Sequence, residues 1–408
     1  MKKSLVFALC LWLLAGGLLS ARTQDGGKGF TIRGEIAGLT VGDTLRFERI
    51  ELPGWSLESA FDVVVASPGH FEHTGQQPHT EYYMMSYLPR TGQAPGSSRR
   101  GLTIIIDGGT VTVTGSTDEI YFSRVEGEAF GEQPLLREAA ALDDSIQQER
   151  SRNLQLAYAA FAAGDSIKGR EHERRFNEFQ REEESKRIRA LESEFLNRHP
   201  SSPWSIVYRL ERAANTPTDS LEAYYTRLDA PARASHYGTV LRKTIDDLVR
   251  LAPGQPAPVF GFMLPDGMKM SSDKFWGKYL LIYHWGFCPG SIQLEEEATD
   301  LFNRYKENLG ILGITDNLES IRDAARTTPP DAELFGMNLK TAYESMAVHP
   351  WIDIEDTGEN HRIGDLYAFG GYPFFVLISP DGKIVSRGFH ETFYETEKML
   401  KAEFGPKQ

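Results

Sequence analysis

The stretch YHWGFCPGSIQ, residues 283–293, decides the reading of the second half of the chain. It closes an apolar run, KYLLIYHW at 278–285, of the length and continuity expected of a strand buried on both faces. Residues 289–309 then have helical composition, and Pro289 suits a helix's first turn. Cys288 therefore stands where a strand hands over to a helix, with Ser291 three residues further on.

On either side of this stretch, strand and helix alternate. LAPGQPAPVFGFMLPDGMKM at 251–270 is a boundary, because Pro253, Pro256 and Pro258 favour extended chain. LGILGITD at 309–316 predicts a second strand and residues 317–327 a helix. YPFFVLIS at 372–379 and KIVSRGF at 383–389 predict a hairpin about Pro380-Asp381-Gly382, and residues 391–404 a closing helix. Alternation on this scale predicts an α/β domain over 251–408.

Upstream the character changes twice. Residues 29–120 carry seven short runs rich in β-branched and aromatic residues, from FTIRGEIAG to TVTVTG, punctuated by Gly, Pro and Asp. They predict a small antiparallel, β-sandwich-like domain. Residues 130–250 predict a helical segment with apolar residues three and four apart, among them Phe176, Phe179, Ile188, Leu191 and Phe195. HPSSP at 199–203 ends its long helix, and further helices are expected near 204–213, 218–228 and 232–250. Its Glu and Arg residues read as a solvated helix face. The segment suits a spacer or a homodimerisation surface. The expected fold is thus multidomain α+β.

With 408 residues, 40% hydrophobic and 25% charged, the composition is that of a globular protein of two or three domains. A net charge of −13 argues against nucleic acid as a partner. Met1-Lys2-Lys3, the apolar run Leu5–Leu19 and a small residue at Ala21 predict a signal peptide over 1–21 and an exported, periplasmic location. A retained membrane anchor is the other reading of that run. Cleavage would remove Cys10 and leave Cys288 as the one thiol, so no disulfide could form within the chain.

Three anchors resemble the TlpA/ResA-like branch of the thioredoxin superfamily, exported thiol-disulfide oxidoreductases bordering the AhpC/TSA group. They are GQPAPVFGFMLPDGMKMSSDKFWGKYLLIYHW at 254–285, FCPGS at 287–291 and GGYPFFVLISPDGKIV at 370–385. The resemblance implies a thioredoxin-like domain over 251–408 and a cis peptide at Tyr372-Pro373. Residues 29–116 are also similar to a β-domain of unknown function that precedes such domains. The chain departs from the family where its chemistry lies. Ser291 replaces the second cysteine of the C-x-x-C motif, Phe287 replaces a tryptophan, and the span from Trp285 to Cys288 is one residue short.

The resemblance places Cys288 at a helix N-terminus, where free backbone N–H groups and the helix dipole favour an anion, and a thiolate is the nucleophile in disulfide exchange. Glu295, Glu296 and Glu297 would partly oppose it. Cys288, Ser291 and Pro373 are the candidate catalytic positions, with Trp285, Phe287, Pro289, Gly290 and Tyr372 as motif neighbours. Ser291 cannot resolve a mixed disulfide, so the expected chemistry is monothiol exchange with protein clients, and no cofactor is expected. The rival reading is a non-catalytic binding or assembly protein on a degenerate scaffold. Trp285 stands where a peroxidatic site would carry threonine. His284 reads as a core strand residue. His349, His361 and His390 are scattered and give no metal-ligand spacing.

Overall fold

The computed structural model describes residues 27–406 apart from 55, 92–100, 128–138, 316–317, 335–336 and 358–359; within 139–180 it also omits 140–141, 143–144, 147–148, 150–151, 158, 162 and 178–180. The predicted signal peptide and most of the loop at 89–101 lie outside the described residues.

The first eight strands are β1 (Lys28–Ala37), β2 (Thr44–Glu51), β3 (Ser56–Val64), β4 (His70–Gln77), β5 (Glu81–Leu88), β6 (Leu102–Ile106), β7 (Gly109–Ser116) and β8 (Arg124–Glu126). They form two four-stranded sheets, ordered β4-β1-β7-β8 and β3-β2-β5-β6. Alternation along β1 sends Phe30, Ile32 and Ile36 into a core shared with Leu45, Phe47, Met85, Ile104 and Val113. The expectation of a purely antiparallel domain is corrected at one pair, since β1 and β7 run parallel. These two strands are far apart in sequence, so no hairpin dictates their direction. Ile50, Tyr82 and Ile105, from the opposite face of the second sheet, join a core made by the helices.

The helices of this segment are α1 (Ser166–Asn177), α2 (Glu182–Arg198), α3 (Pro203–Glu211), α4 (Thr218–Arg227), α5 (Ala230–Ala234) and α6 (His236–Arg250), and α3 to α6 supply that core. The helix expected over 232–250 is broken at Ser235. Its hydroxyl accepts a hydrogen bond from Gly238 N, so Ser235 caps α6 rather than continuing α5. In α6, Tyr237, Leu241, Thr244, Ile245 and Leu248 form the buried stripe. The helices pack against the β-domain, where the Tyr82 hydroxyl donates to Glu211 at 2.9 Å.

The last third opens with a short ribbon, β9 (Gly261–Met263) and β10 (Lys269–Ser271). There follow β11 (Tyr279–His284), α7 (Pro289–Tyr305), β12 (Leu309–Thr315), α8 (Leu318–Thr327), β13 (Glu333–Leu334), β14 (Met337–Asn338), α9 (Leu339–Met346), β15 (Ile352–Glu355), α10 (Arg362–Tyr367), β16 (Phe374–Ile378), β17 (Ile384–Gly388) and α11 (His390–Phe404). Five strands form one sheet in the order β15-β12-β11-β16-β17. β11 pairs parallel with β12 and antiparallel with β16. Both faces are covered. Leu281, Tyr283, Phe375 and Leu377 pack with α7, α9 and α11, while Leu280, Ile282, Phe374 and Val376 pack with α10. This double burial explains the unbroken apolar runs of β11 and β16. The chain is thus a multidomain α+β protein.

Candidate functional site

Cys288 is the N-cap of α7, with extended backbone (φ −123°, ψ 153°). An N-cap side chain ordinarily satisfies a free backbone donor of the first turn through oxygen. Here sulfur takes that role: Sγ accepts from Ser291 N at 3.3 Å, and the Ser291 hydroxyl lies 3.2 Å from the same sulfur. Pro289 occupies the first turn, where no backbone N–H is required. Ser291 is fully buried, and its Oγ also accepts from Gly286 N at 3.3 Å. Cys288 itself is half-buried and unpaired with other sulfur.

Pro373 faces this turn across Gly290. A Cβ on Gly290 would lie 2.9 Å from Pro373 Cδ and 3.1–3.2 Å from the ring of His390, so glycine is what lets the three groups close together. The Tyr372-Pro373 peptide is cis. Tyr372 packs its ring 3.4 Å from the Cβ direction of Gly286, and 4.3 Å from the ring of His284. Phe287 is 43% exposed and meets Tyr343 edge-on, which leaves an aromatic edge in solvent beside the sulfur. The cis-proline loop is held from beneath. Arg387 donates to the carbonyls of Tyr367 and Ala368, and burial pulls its guanidinium down to about 10. The helical segment also reaches this loop, since Ala214 fills the space where Gly370 would carry a side chain.

His284, His361 and His390 occupy three different settings. His284 is buried as expected, with Nδ1 3.1 Å from Gly371 O, its ring stacked on Phe369, and Nε2 3.9 Å from Asp356. His361, mostly exposed, approaches the other oxygen of Asp356 at 3.3 Å. His390, scattered in the sequence, joins the Cys288 turn through Gly290. Among the described residues no group of side chains has the makings of a metal site.

A buried cluster beneath the site was not evident from spacing. His349, its side chain wholly buried, lies between Glu295 (Nε2 to Oε2, 2.9 Å) and Asp353 (Nδ1 to Oδ2, 2.7 Å). Asp353 also accepts from the indole of the fully buried Trp285 at 3.0 Å. Gly313 makes that bond possible, because a Cβ there would overlap Asp353 Oδ1 and crowd the indole nitrogen. Glu295 accepts from Ser345 at 2.6 Å. Glu295, one of the three glutamates expected to oppose a thiolate partly, thus faces a histidine. Burial alone would lower the pKa of His349, but its hydrogen bonds and proximity to the two carboxylates win, raising it to about 9. Tyr283 lies among all these groups. Burial first, then Glu295, Cys288 and Asp353, push its phenol well above the ordinary value, with Ser291 pulling the other way.

No family model and no curated protein matches the chain. Solved structures do resemble it. A thioredoxin-like protein from Bacteroides caccae is 14% identical, over 68% of this chain and 87% of its own, with a TM-score of 0.35. The thioredoxin domain of a thiol-disulfide oxidoreductase from Bacteroides vulgatus is 23% identical over 36% of this chain and 98% of its own, with a TM-score of 0.27. A putative thiol:disulfide interchange protein DsbE from Chlorobium tepidum is 15% identical over 36% and 96%, with a TM-score of 0.28.

Proposed function

We propose that the chain is an exported, periplasmic protein whose thioredoxin-like domain, residues 251–408, performs thiol-disulfide exchange through the single sulfur of Cys288. One observation carries the reading: Sγ is seated on the first turn of α7 as its cap, half-exposed, beside Gly290 and Pro373. Backbone donors and the helix dipole at that place favour negative charge on sulfur.

The chemistry follows from Ser291. The Cys288 thiolate attacks a client disulfide, forms a Cys288–client disulfide and expels the client's other sulfur as a thiolate. A dithiol protein would now attack with its second cysteine. The Ser291 hydroxyl cannot do so, since it forms no disulfide. Release falls either to the client's own thiolate, which isomerises the client, or to external thiol. A first external thiol attacks the Cys288 sulfur and frees the client as a thiol. A second then regenerates Cys288 and leaves as the external disulfide. Ser291 instead holds the turn, bonding Gly286 N and Sγ. A scaffold-only reading draws support from the same burial of Ser291, which serves packing whether or not the sulfur reacts.

The test is to mix the protein with a disulfide-linked peptide and follow intact mass without and with added glutathione. The expected result is an adduct at Cys288 that persists until glutathione is added, and none from Cys288→Ser. Failure to form an adduct removes the exchange reading and leaves the scaffold.

A further inference from the structure

The cluster of His349, Glu295 and Asp353 takes no part in the exchange steps above, yet it is built at the back of the same turn. Hydrogen bonding sets its net charge. Both ring nitrogens of His349 face carboxylate oxygens, at 2.9 Å and 2.7 Å. A neutral imidazole has one N–H and would turn a lone pair toward one of the two carboxylates. A second proton is needed among the three groups, and the raised pKa of His349 places it on the ring as an imidazolium. Each carboxylate has a further donor, Trp285 on Asp353 and Ser345 on Glu295. The triad then carries one net negative charge instead of two.

Its place relative to the sulfur follows from the elements. Glu295 lies one helical turn after Ser291 on the buried face of α7. Trp285 is the last residue before the Gly286–Cys288 turn. The Tyr283 hydroxyl lies near both sides, since, beyond burial, Glu295, Cys288 and Asp353 all push its pKa up. In a buried site such charges are weakly screened, so the count of negative charges behind the turn bears on whether sulfur can be negative in front of it.

Resting on the exchange reading above, we infer that His349 is a positioning residue for Cys288: a buried cation that offsets Glu295 and Asp353 and so keeps the adjoining turn able to hold a thiolate. The two halves of the triad then act on the sulfur with opposite sign. Removing the cation makes the surroundings more negative and suppresses the thiolate. Removing Glu295's charge makes them less negative and promotes it.

The experiment is the rate of iodoacetamide alkylation of Cys288, resolved by peptide mass spectrometry on the full chain at pH 7. His349→Gln is expected to slow it at least threefold and Glu295→Gln to speed it at least threefold. A purely structural cluster would move both variants in the same direction. That result, or no change in either, overturns the inference. If Cys288 of the unaltered protein reacts no faster than in the denatured chain, it is the exchange reading that falls. Should either variant fail to fold, the ring-nitrogen NMR shifts of His349 in the unaltered protein decide: a doubly protonated ring at pH 7 supports the inference, and a neutral tautomer overturns it.

Discussion

Raising the pH from 7 to 9.5 should selectively weaken the domain that carries Cys288, and His349 sets the size of the effect. Its imidazole has an ordinary value of 6.5 and is raised to about 9 in the fold. Between these values the native state holds a proton that the unfolded chain has given up. The linkage relation then makes stability fall as pH rises. The contribution is complete below about pH 6.5 and gone once pH has passed about 9. At about 1.36 kcal/mol per pH unit, the whole span is worth on the order of 3 kcal/mol. That is a sizeable share of the 5–15 kcal/mol typical of a domain. The assay is urea denaturation at pH 7, 8, 9 and 9.5, followed by near-ultraviolet circular dichroism and tryptophan emission, since Trp285 and Trp351 both pack on the His349 ring. In His349→Gln the loss between pH 7 and 9.5 should disappear, from a lower starting stability. Equal alkaline losses in the two proteins would refute the reasoning.

Three further outcomes are expected. Ser291→Cys brings a second sulfur to the position now 3.2 Å from Sγ; the introduced sulfur should form a disulfide with Cys288 under oxidised glutathione and release one reduced client per protein without external thiol, the protein itself ending as the disulfide, and two persistently free thiols would count against the placement. Gly290→Ala must displace Pro373 or His390; it should cost about 1–3 kcal/mol in denaturation and alter the Cys288 reaction rate, whereas native behaviour in both would show that the turn is looser than described. His236, stacked on His79 at 3.6 Å, is pulled down to about 4 by burial first and by His79 and Arg49 next. It therefore stays neutral in the fold while the unfolded chain takes up a proton, so stability is lost as pH falls from 6.5 toward 4; His236→Phe should lose less over that range, and an unchanged acid loss would contradict the assignment.

The strand, the cysteine and the helix after it were legible because two physical signals coincide there. An apolar run without alternation suits a strand covered on both faces, and proline just after Cys288 is well tolerated in a helix's first turn, which agrees with where the resemblance puts the cysteine. The hairpin after Pro373 was equally plain, as were the seven longer strands of the β-domain. Direction of pairing was not. β1 and β7 lie side by side in parallel although nothing local in either run says so. The break at Ser235 was hidden because residues on both sides suit helix, and only the serine's capping bond separates them.

The buried triad was the largest omission. Its members come from α7, the loop after α9, and β15, so no spacing rule joins them. One signal was present. Glu295 falls on the stripe formed by Ser291, Leu294, Ala298 and Leu301, all buried. A carboxylate on that face must meet a partner, because an unpaired buried charge is strongly unfavourable. By sequence alone Glu295 groups with Glu296 and Glu297 as one acidic patch, but only Glu295 points inward.

The central claim is that α7 holds the Cys288 sulfur as a ready nucleophile, and the rate of that sulfur with iodoacetamide at pH 6.5 tests it most directly. The native full chain should label at Cys288 at least ten times faster than the same residue in 6 M guanidinium, after correction for the solvent's effect on a free thiol. A native rate equal to or below the denatured rate would contradict the account.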